Sequence, residues 1–311
     1  MNELVFVTIT SADGNDIQAP LLAASIRKFG GNLSGQPIWV FVPTHDKQIS
    51  NRLSDNFDSL DVTIIPFSCE SDEITFPFTA LVCAAAKAEM LAKNKIDLLV
   101  LIDNNSFILN EPSEFLLEEK KSLGYRPVHH TLIGSEYTKS LDSFWKLIYS
   151  KLDVSEDDVF PMKTHVDGKI LRPYINSGFL VVRPEKGLFQ AWWDAFKEIY
   201  KELEFQDFYQ KDSLYSTFIH QVVLSSIILT KLSQKELYEL PFSYNYPLHL
   251  FPESLSEFQP SNLNDMVTLR YYLDKLQNPE WLDLLPFHDP HKSWVIERLK
   301  ELRLITTNGK K

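Results

Sequence analysis

Through the first hundred positions, apolar residues come in short unbroken runs parted by polar turns. LVFVTIT (4–10), IWVFVP (38–43), VTIIPF (62–67) and LLVLI (98–102) have the length and composition of strands buried on both faces. Between them lie helical stretches. One runs from about Pro20 to Phe29 and is ended by Gly30 and Gly31. A short one is expected over 47–57, and a third over 78–93 carries a stripe through Leu81, Ala84, Ala85, Ala88 and Leu91. Strands alternating with helices predict an α/β fold with a doubly wound, mainly parallel central sheet.

The second half is less regular. The pattern predicts a helical stretch near Glu114–Lys121, a strand around Val128–Ile133, a helix over 141–152 and a hairpin turn at Asp167-Gly168. INSGFLVV, starting at Ile175, is another buried strand, stopped by Pro184. Helices follow over about 187–204 and 219–232, and His220-Gln221 stands at the start of the second. After Pro241 the chain turns rich in proline and aromatics, then ends in one or two polar helices. With no convincing linker, residues 1–250 read as one domain and 251–311 as a C-terminal helical extension packed on it. Asn308–Lys311 reads as a frayed tail.

Composition narrows the class. The 311 residues are 44% hydrophobic, ample for a large core. A formal net charge of −11 repels phosphate polymers and argues against nucleic-acid or anionic-membrane binding, while leaving room for a small nucleotide. Cys69 and Cys83 are too few for a disulfide framework and read as reduced thiols of a cytoplasmic protein. No signal core or membrane span is apparent, so a soluble chain is expected.

The richest chemistry stands at LLVLIDNNSFILNEP (98–112). The buried strand runs into Asp103, Asn104 and Asn105, at the edge where open α/β sheets form their ligand crevice. One carboxylate and two amides are hard oxygen ligands suited to a divalent cation that bridges phosphates. On the residues alone, an Asp after a strand is more often a turn former or helix cap. Lys87 lies sixteen residues earlier, beside the apolar stripe of its helix. Asn176-Ser177-Gly178, at the mouth of a strand, reads as an ordinary turn or as a place where ligand approaches backbone. Thr10, Ser11 and Asp13 follow the first strand at the same sheet edge as Asp103. The tandem His129-His130, placed in a strand, would point to opposite faces and reads as structural.

These motifs, in this order, resemble the GT-A-fold glycosyltransferases that use nucleotide-diphospho-sugars, nearest the glycogenin and bacterial galactosyltransferase group. The resemblance spans roughly the first 250 residues. It implies transfer of a sugar from a nucleotide-diphosphate donor, a UDP-sugar first among them, to a carbohydrate or other hydroxyl acceptor, with retention of configuration. Mn²⁺ or Mg²⁺ would be held by Asp103 and Asn105, completed by His288. Lys87 and Lys292 would meet the donor phosphates. Thr10, Ser11, Asp13 and Asn104 would hold the nucleoside side of the donor. Asn176, Ser177 and Gly178 would contact the sugar, and His220 and Gln221 would stand near the reacting carbon.

Two positions depart from the family pattern. Asn105 replaces the second acid of the Asp-x-Asp motif, and His220 replaces the Asp of an Asp-Gln pair. Both motivate an alternative, a non-catalytic nucleotide-sugar-binding homologue. A sugar-phosphate nucleotidyltransferase ranks last, because the loop after the first strand holds only Gly14 where that class has a glycine-rich turn.

Overall fold

The computed structural model describes residues 4–44, 49–69 and 75–301. The first two residues expected in the helix over 47–57, and the tail 308–311, lie outside them.

Each long apolar run forms a strand whose residues alternate between two cores. In β4 (Leu98–Ile102), Leu99 and Leu101 join one cluster while Leu98, Val100 and Ile102 join the other. In β1 (Leu4–Ile9), Val5 and Val7 split from Leu4 and Phe6 in the same way. Burial on both faces is what makes these runs continuous rather than alternating.

Chain order brings α1 (Gln18–Phe29), β2 (Ile38–Pro43), α2 (Asn51–Asn56), β3 (Thr63–Phe67) and α3 (Thr79–Ala92) before β4. β5 (Ser106–Ile108), β6 (Leu123–Pro127), α4 (Ser143–Lys151), the short pair β7 (Met162–Lys163) and β8 (Ile170–Leu171), and β9 (Ile175–Val182) follow. Then come α5 (Leu188–Ile199), α6 (Leu203–Lys211), α7 (Ser213–Lys231), β10 (Leu237–Glu239), β11 (Tyr246–Pro247) and β12 (Thr268–Arg270). The chain closes with α8 (Leu273–Leu276), α9 (Pro279–Asp283) and α10 (His291–Glu301). The seven-stranded sheet has the order β10-β6-β9-β4-β1-β2-β3. All neighbours are parallel except β9, which runs antiparallel to both β4 and β6. This is the expected mainly parallel, doubly wound sheet.

α3, α4, α5 and α7 cover one face, and α1 and α2 the other. α1 buries Leu22 and Ile26 against the sheet, and Leu21 and Ala24 against the C-terminal segment. β11, β12 and β5 form a second sheet, so residues beyond 245 are hydrogen-bonded to the strand that follows the Asp103 loop.

Several expectations are corrected. Residues 114–121 are not a helix; only Ser113–Phe115 make a 3₁₀ turn, and the next strand is β6, ahead of the expected 128–133. Its LGYRP sequence hides a strand behind a Gly and a Pro. A Cβ on Gly124 would fit tightly, 3.0 Å from Leu117 Cδ2 and 3.3 Å from Val181 Cβ. The helix over 219–232 begins earlier, at Ser213, where Asp212 Oδ1 accepts the Leu214 N–H. It is, among the described residues, the one helix long and apolar enough to cross a membrane, and it is buried inside the fold from Ile219 to Leu229. Cys69 and Cys83, expected as free thiols, are joined in a disulfide. Their separation of 14 residues does not reveal that Cys69, just after β3, lies against α3.

Glu89 ties the helical layer together. Its carboxylate on α3 accepts the N–H groups of Phe189 (3.0 Å) and Gln190 (2.8 Å), capping the start of α5. Burial pushes this carboxyl up to about 7. Glu89→Ala leaves the buried Phe189 N–H and the half-buried Gln190 N–H without this acceptor and is expected to cost roughly 1–3 kcal/mol in urea unfolding. An unchanged midpoint would mean that α5 docks without this cap.

Candidate active site

Strand register brings the distant motifs together. β1 and β4 are parallel, so the loops that follow them leave the same sheet edge. β9 is antiparallel to β4 with Ile102 opposite Phe179, so the end of β4 meets the beginning of β9. The Asp103 N–H then donates to the Gly178 carbonyl at 2.8 Å. β12 is antiparallel to β5 with Arg270 opposite Ser106, which carries Arg270 back beside Asp103. Pro247 of β11 pairs with Arg270, and His249 follows two residues later.

Two cavities open along this edge. The outer one, about 350 Å³, has an apolar floor of Ile9, Leu81, Leu101 and Ile102 and a polar rim of Thr10, Ser11, Asp16 and Asn104. The inner one, about 90 Å³, is lined by Asn176, Ser177, Gln221, Arg270 and the imidazoles of His129, His130, His220 and His249. Asp103 and Phe78 line both.

Asp16 organises the outer rim, accepting from Thr10 Oγ1 at 2.8 Å and from Asn104 Nδ2 at 2.5 Å. Asp13 turns away. It accepts from Ser11 Oγ and from the backbone and side chain of Asn15, and these bonds, Ser11's first, hold its carboxyl down at about 2.

In the inner cavity the amides and the His220 ring are oriented by neighbouring groups. Gln221 Oε1 accepts the Ser177 N–H at 3.1 Å, and Asn176 Oδ1 accepts the Gly178 N–H at 3.0 Å. His220 is mid-helix rather than at a helix start, which removes the capping role. The Thr217 carbonyl can only accept, so His220 Nδ1 carries the proton at 2.9 Å and Nε2 accepts from Ser177 Oγ at 2.9 Å. Its ring stacks on Phe78, with centroids 4.2 Å apart. Burial drops His220 to about 3, and a neutral imidazole stands where the family has a carboxylate. His129 and His130, expected to be structural residues of a strand, follow β6 in a loop and both face the cavity. His129 is buried, with neither ring nitrogen hydrogen-bonded, and its ring is 5.2 Å from that of the equally unpartnered His165. Burial lowers His129 well below the usual imidazole range, takes His165 to about 3 and His249 to about 4.

Asp103, Asn104, Thr10, Ser11, Asn176, Ser177, His220 and Gln221 thus converge on the two cavities. Gly178 lies directly beneath Asp103 and Arg270. Lys87, Asn105, His288 and Lys292 line neither cavity. Lys87 is half-buried on α3, beyond the Leu81 end that reaches the outer cavity. Lys292 on α10 pairs with Asp283 at 2.8 Å, and His288 exchanges backbone hydrogen bonds with the Asn264 side chain. Asp16, Phe78, His249 and Arg270 are site residues that sequence reasoning passed over. A polar residue inside the apolar runs YNYPLHLF and TLRYY was the available signal for the last two.

A divalent cation, implied by the resemblance, does not suit this donor set. Asp103 Oδ2 is 2.8 Å from Arg270 Nη2, so the remaining carboxylate of the motif is already paired with a cation. Among the described residues, no three His, Cys, Asp or Glu side chains form a group that could hold a metal ion.

With this geometry in view, the chain belongs to the family described as the Rhodobacterales glycosyltransferase domain, whose model matches residues 6–230. It is therefore a glycosyltransferase. Among solved structures it is similar to mouse xyloside xylosyltransferase 1 in its apo form, with 10% identity, 86% of this chain and 96% of that one covered, and a TM-score of 0.45. It is also similar to the galactosyltransferase LgtC in complex with donor and acceptor sugar analogues, with 13% identity, 98% of each chain covered and a TM-score of 0.48. No curated protein matches the chain.

Two outcomes are expected. A Cβ on Gly178 would overlap Asp103 Oδ2 and lie 3.0 Å from Arg270 Nη1, so Gly178→Ala should pry the pair apart. Transfer activity should fall about tenfold or more, with only a modest drop in melting temperature. Wild-type activity in this variant would mean that the pair's position is unimportant. The second outcome concerns acid. Unfolded imidazoles titrate near 6.5, whereas His165, His220 and His249 stay neutral in the fold down to about 3–4. As pH falls through 6.5 the unfolded state binds protons that the folded state refuses, so stability is lost, by about 2 kcal/mol per imidazole at pH 5. Urea midpoints measured from pH 7 to pH 5 should fall steeply; a flat profile would mean that these rings are solvated.

Proposed function

We propose that this glycosyltransferase moves a sugar from a nucleotide-diphosphate donor to an acceptor hydroxyl, with retention of configuration. The observation that carries this reading is the pair of cavities meeting at Asp103. The outer one has the apolar floor and polar rim that suit a nucleoside, and the inner one the amide, hydroxyl and imidazole groups that suit a sugar. A donor lying across both would put its diphosphate at their junction, over Asp103 and Arg270. The resemblance makes a UDP-sugar the first donor to test.

Retention is supported by the state of the carboxylate in the inner cavity. Asp103 is the one carboxylate among the described residues lining the inner cavity, and Arg270 holds it. The buried imidazoles are too weakly basic to take a proton from an alcohol efficiently. The bond from the anomeric carbon to the phosphate oxygen would break with its electron pair on that oxygen. The acceptor oxygen would bond to the anomeric carbon on the same face, and its proton would pass to the departing phosphate. Asn176 and Gln221, each held by hydrogen bonds, would orient the sugar. Family membership favours this enzyme over a non-catalytic binder.

The test is incubation with UDP-, GDP- and CDP-sugars, followed by NMR of the released nucleotide and of the sugar anomer. One nucleotide class should be turned over, with the donor's configuration kept in the product. A ligand at ~100 times its dissociation constant adds ~2.7 kcal/mol, so thermal shifts should identify the same class. No shift and no release with any donor would reject the reading; an inverted product would reject retention alone.

A further inference from the structure

We propose that Arg270 takes the place of the divalent cation in this crevice, so that the donor diphosphate is received by a guanidinium and binds without metal. The inference rests on the nucleotide-sugar reading above and specifies how its phosphates are held. Charge bookkeeping leads to it. The family motif sets two carboxylates against a divalent ion, and the three sum to zero. Here one carboxylate, one amide and one guanidinium also sum to zero, with Asn105 in the place of the second acid and Arg270 supplying the positive charge.

The geometry agrees with the count. Arg270 Nη2 is 2.8 Å from Asp103 Oδ2, and Nη1 is 3.4 Å from Asn176 Oδ1. The pair is partly open to the crevice, with side-chain exposures of 20% for Arg270 and 17% for Asp103. Arg270 is the one Lys or Arg among the described residues lining either cavity; it lines the inner one and is paired with Asp103, which lines both. Two constraints hold it there: β12 is hydrogen-bonded to β5, and Gly178 contributes no side chain beneath it. A divalent ion on Asp103 would stand within a few ångströms of the guanidinium and add unbalanced positive charge, so Asp103 cannot serve both. A planar guanidinium with several N–H donors matches phosphate oxygens in a bidentate way, and its charge is present at every relevant pH. Such a group stabilises the negative charge that builds on the leaving phosphate as the glycosidic bond breaks. Asp103 then acts as a positioning residue, orienting Arg270 until the phosphate arrives.

Calorimetric titration of UDP, GDP and CDP into the wild-type protein, with EDTA and with Mn²⁺, tests this. The variants Arg270→Gln, Arg270→Lys and Asp103→Asn are titrated alongside, after thermal melts establish that each is folded. The nucleotide that binds should do so with EDTA about as tightly as with Mn²⁺. Arg270→Gln should weaken it about tenfold or more, and Arg270→Lys less. Asp103→Asn removes the carboxylate that competes for the guanidinium and should tighten binding in EDTA. This last comparison stands even if Arg270→Gln does not fold. Nucleotide binding that requires Mn²⁺ and is lost in Asp103→Asn would overturn the inference while leaving the nucleotide-sugar reading intact. Binding of none of the three nucleotides, with or without metal, would overturn both.

Discussion

The antiparallel pairing of β9 with β4 is the constraint on which the site depends. In a sheet whose other strands are all parallel, this reversed strand starts where β4 ends. The beginning of β9, with its Asn-Ser-Gly, is thereby pinned by a backbone hydrogen bond to the carboxylate loop. A parallel strand in the same position would carry those residues to the far end of the sheet. One reversal thus sets the inner cavity beside the outer one.

Electrostatics in the crevice follow from burial more than from composition. The chain carries eight histidines, and four of those in or next to the inner cavity are driven neutral by loss of solvent. They add polar surface without charge. Among the described residues lining the crevice, Arg270 is the one Lys or Arg, and it is paired with Asp103. Two substitutions against the family pattern belong to this arrangement. Asn105 removes a negative charge next to Asp103, and His220 replaces a carboxylate with a neutral ring whose tautomer is set by Thr217 and Ser177.

The C-terminal segment contributes to the site in a way that its end does not suggest. α10 docks against the outside of α1, with Trp294 edge-on to Phe29 and His291 Nε2 2.8 Å from the Leu109 carbonyl. His288 and Lys292 stay with that docking surface. An earlier part of the segment, β12, reaches the crevice through Arg270, beside His249 from the turn just ahead of the segment. The segment is part of the catalytic half by virtue of a three-stranded sheet, not by packing alone.

The sheet core is written in the local pattern of the chain. Continuous apolar runs at 4–10, 38–43 and 98–102 demand burial on both faces, and that demand is met only inside a layered α/β sheet. The strand pattern put Thr10 and Asp103 on one sheet edge, the resemblance singled out Asn176, and all three come to the cavities. What only the tertiary structure decided are the long-range pairings. Arg270 meets Asp103 through a three-residue strand too short to show a period, and a polar residue in an aromatic-rich stretch does not announce its partner. The Cys69–Cys83 bond, the LGYRP strand and the enclosure of His129 and His165 have the same origin. Each depends on which segments come to lie side by side, and local patterning carries no record of neighbours that are distant along the chain.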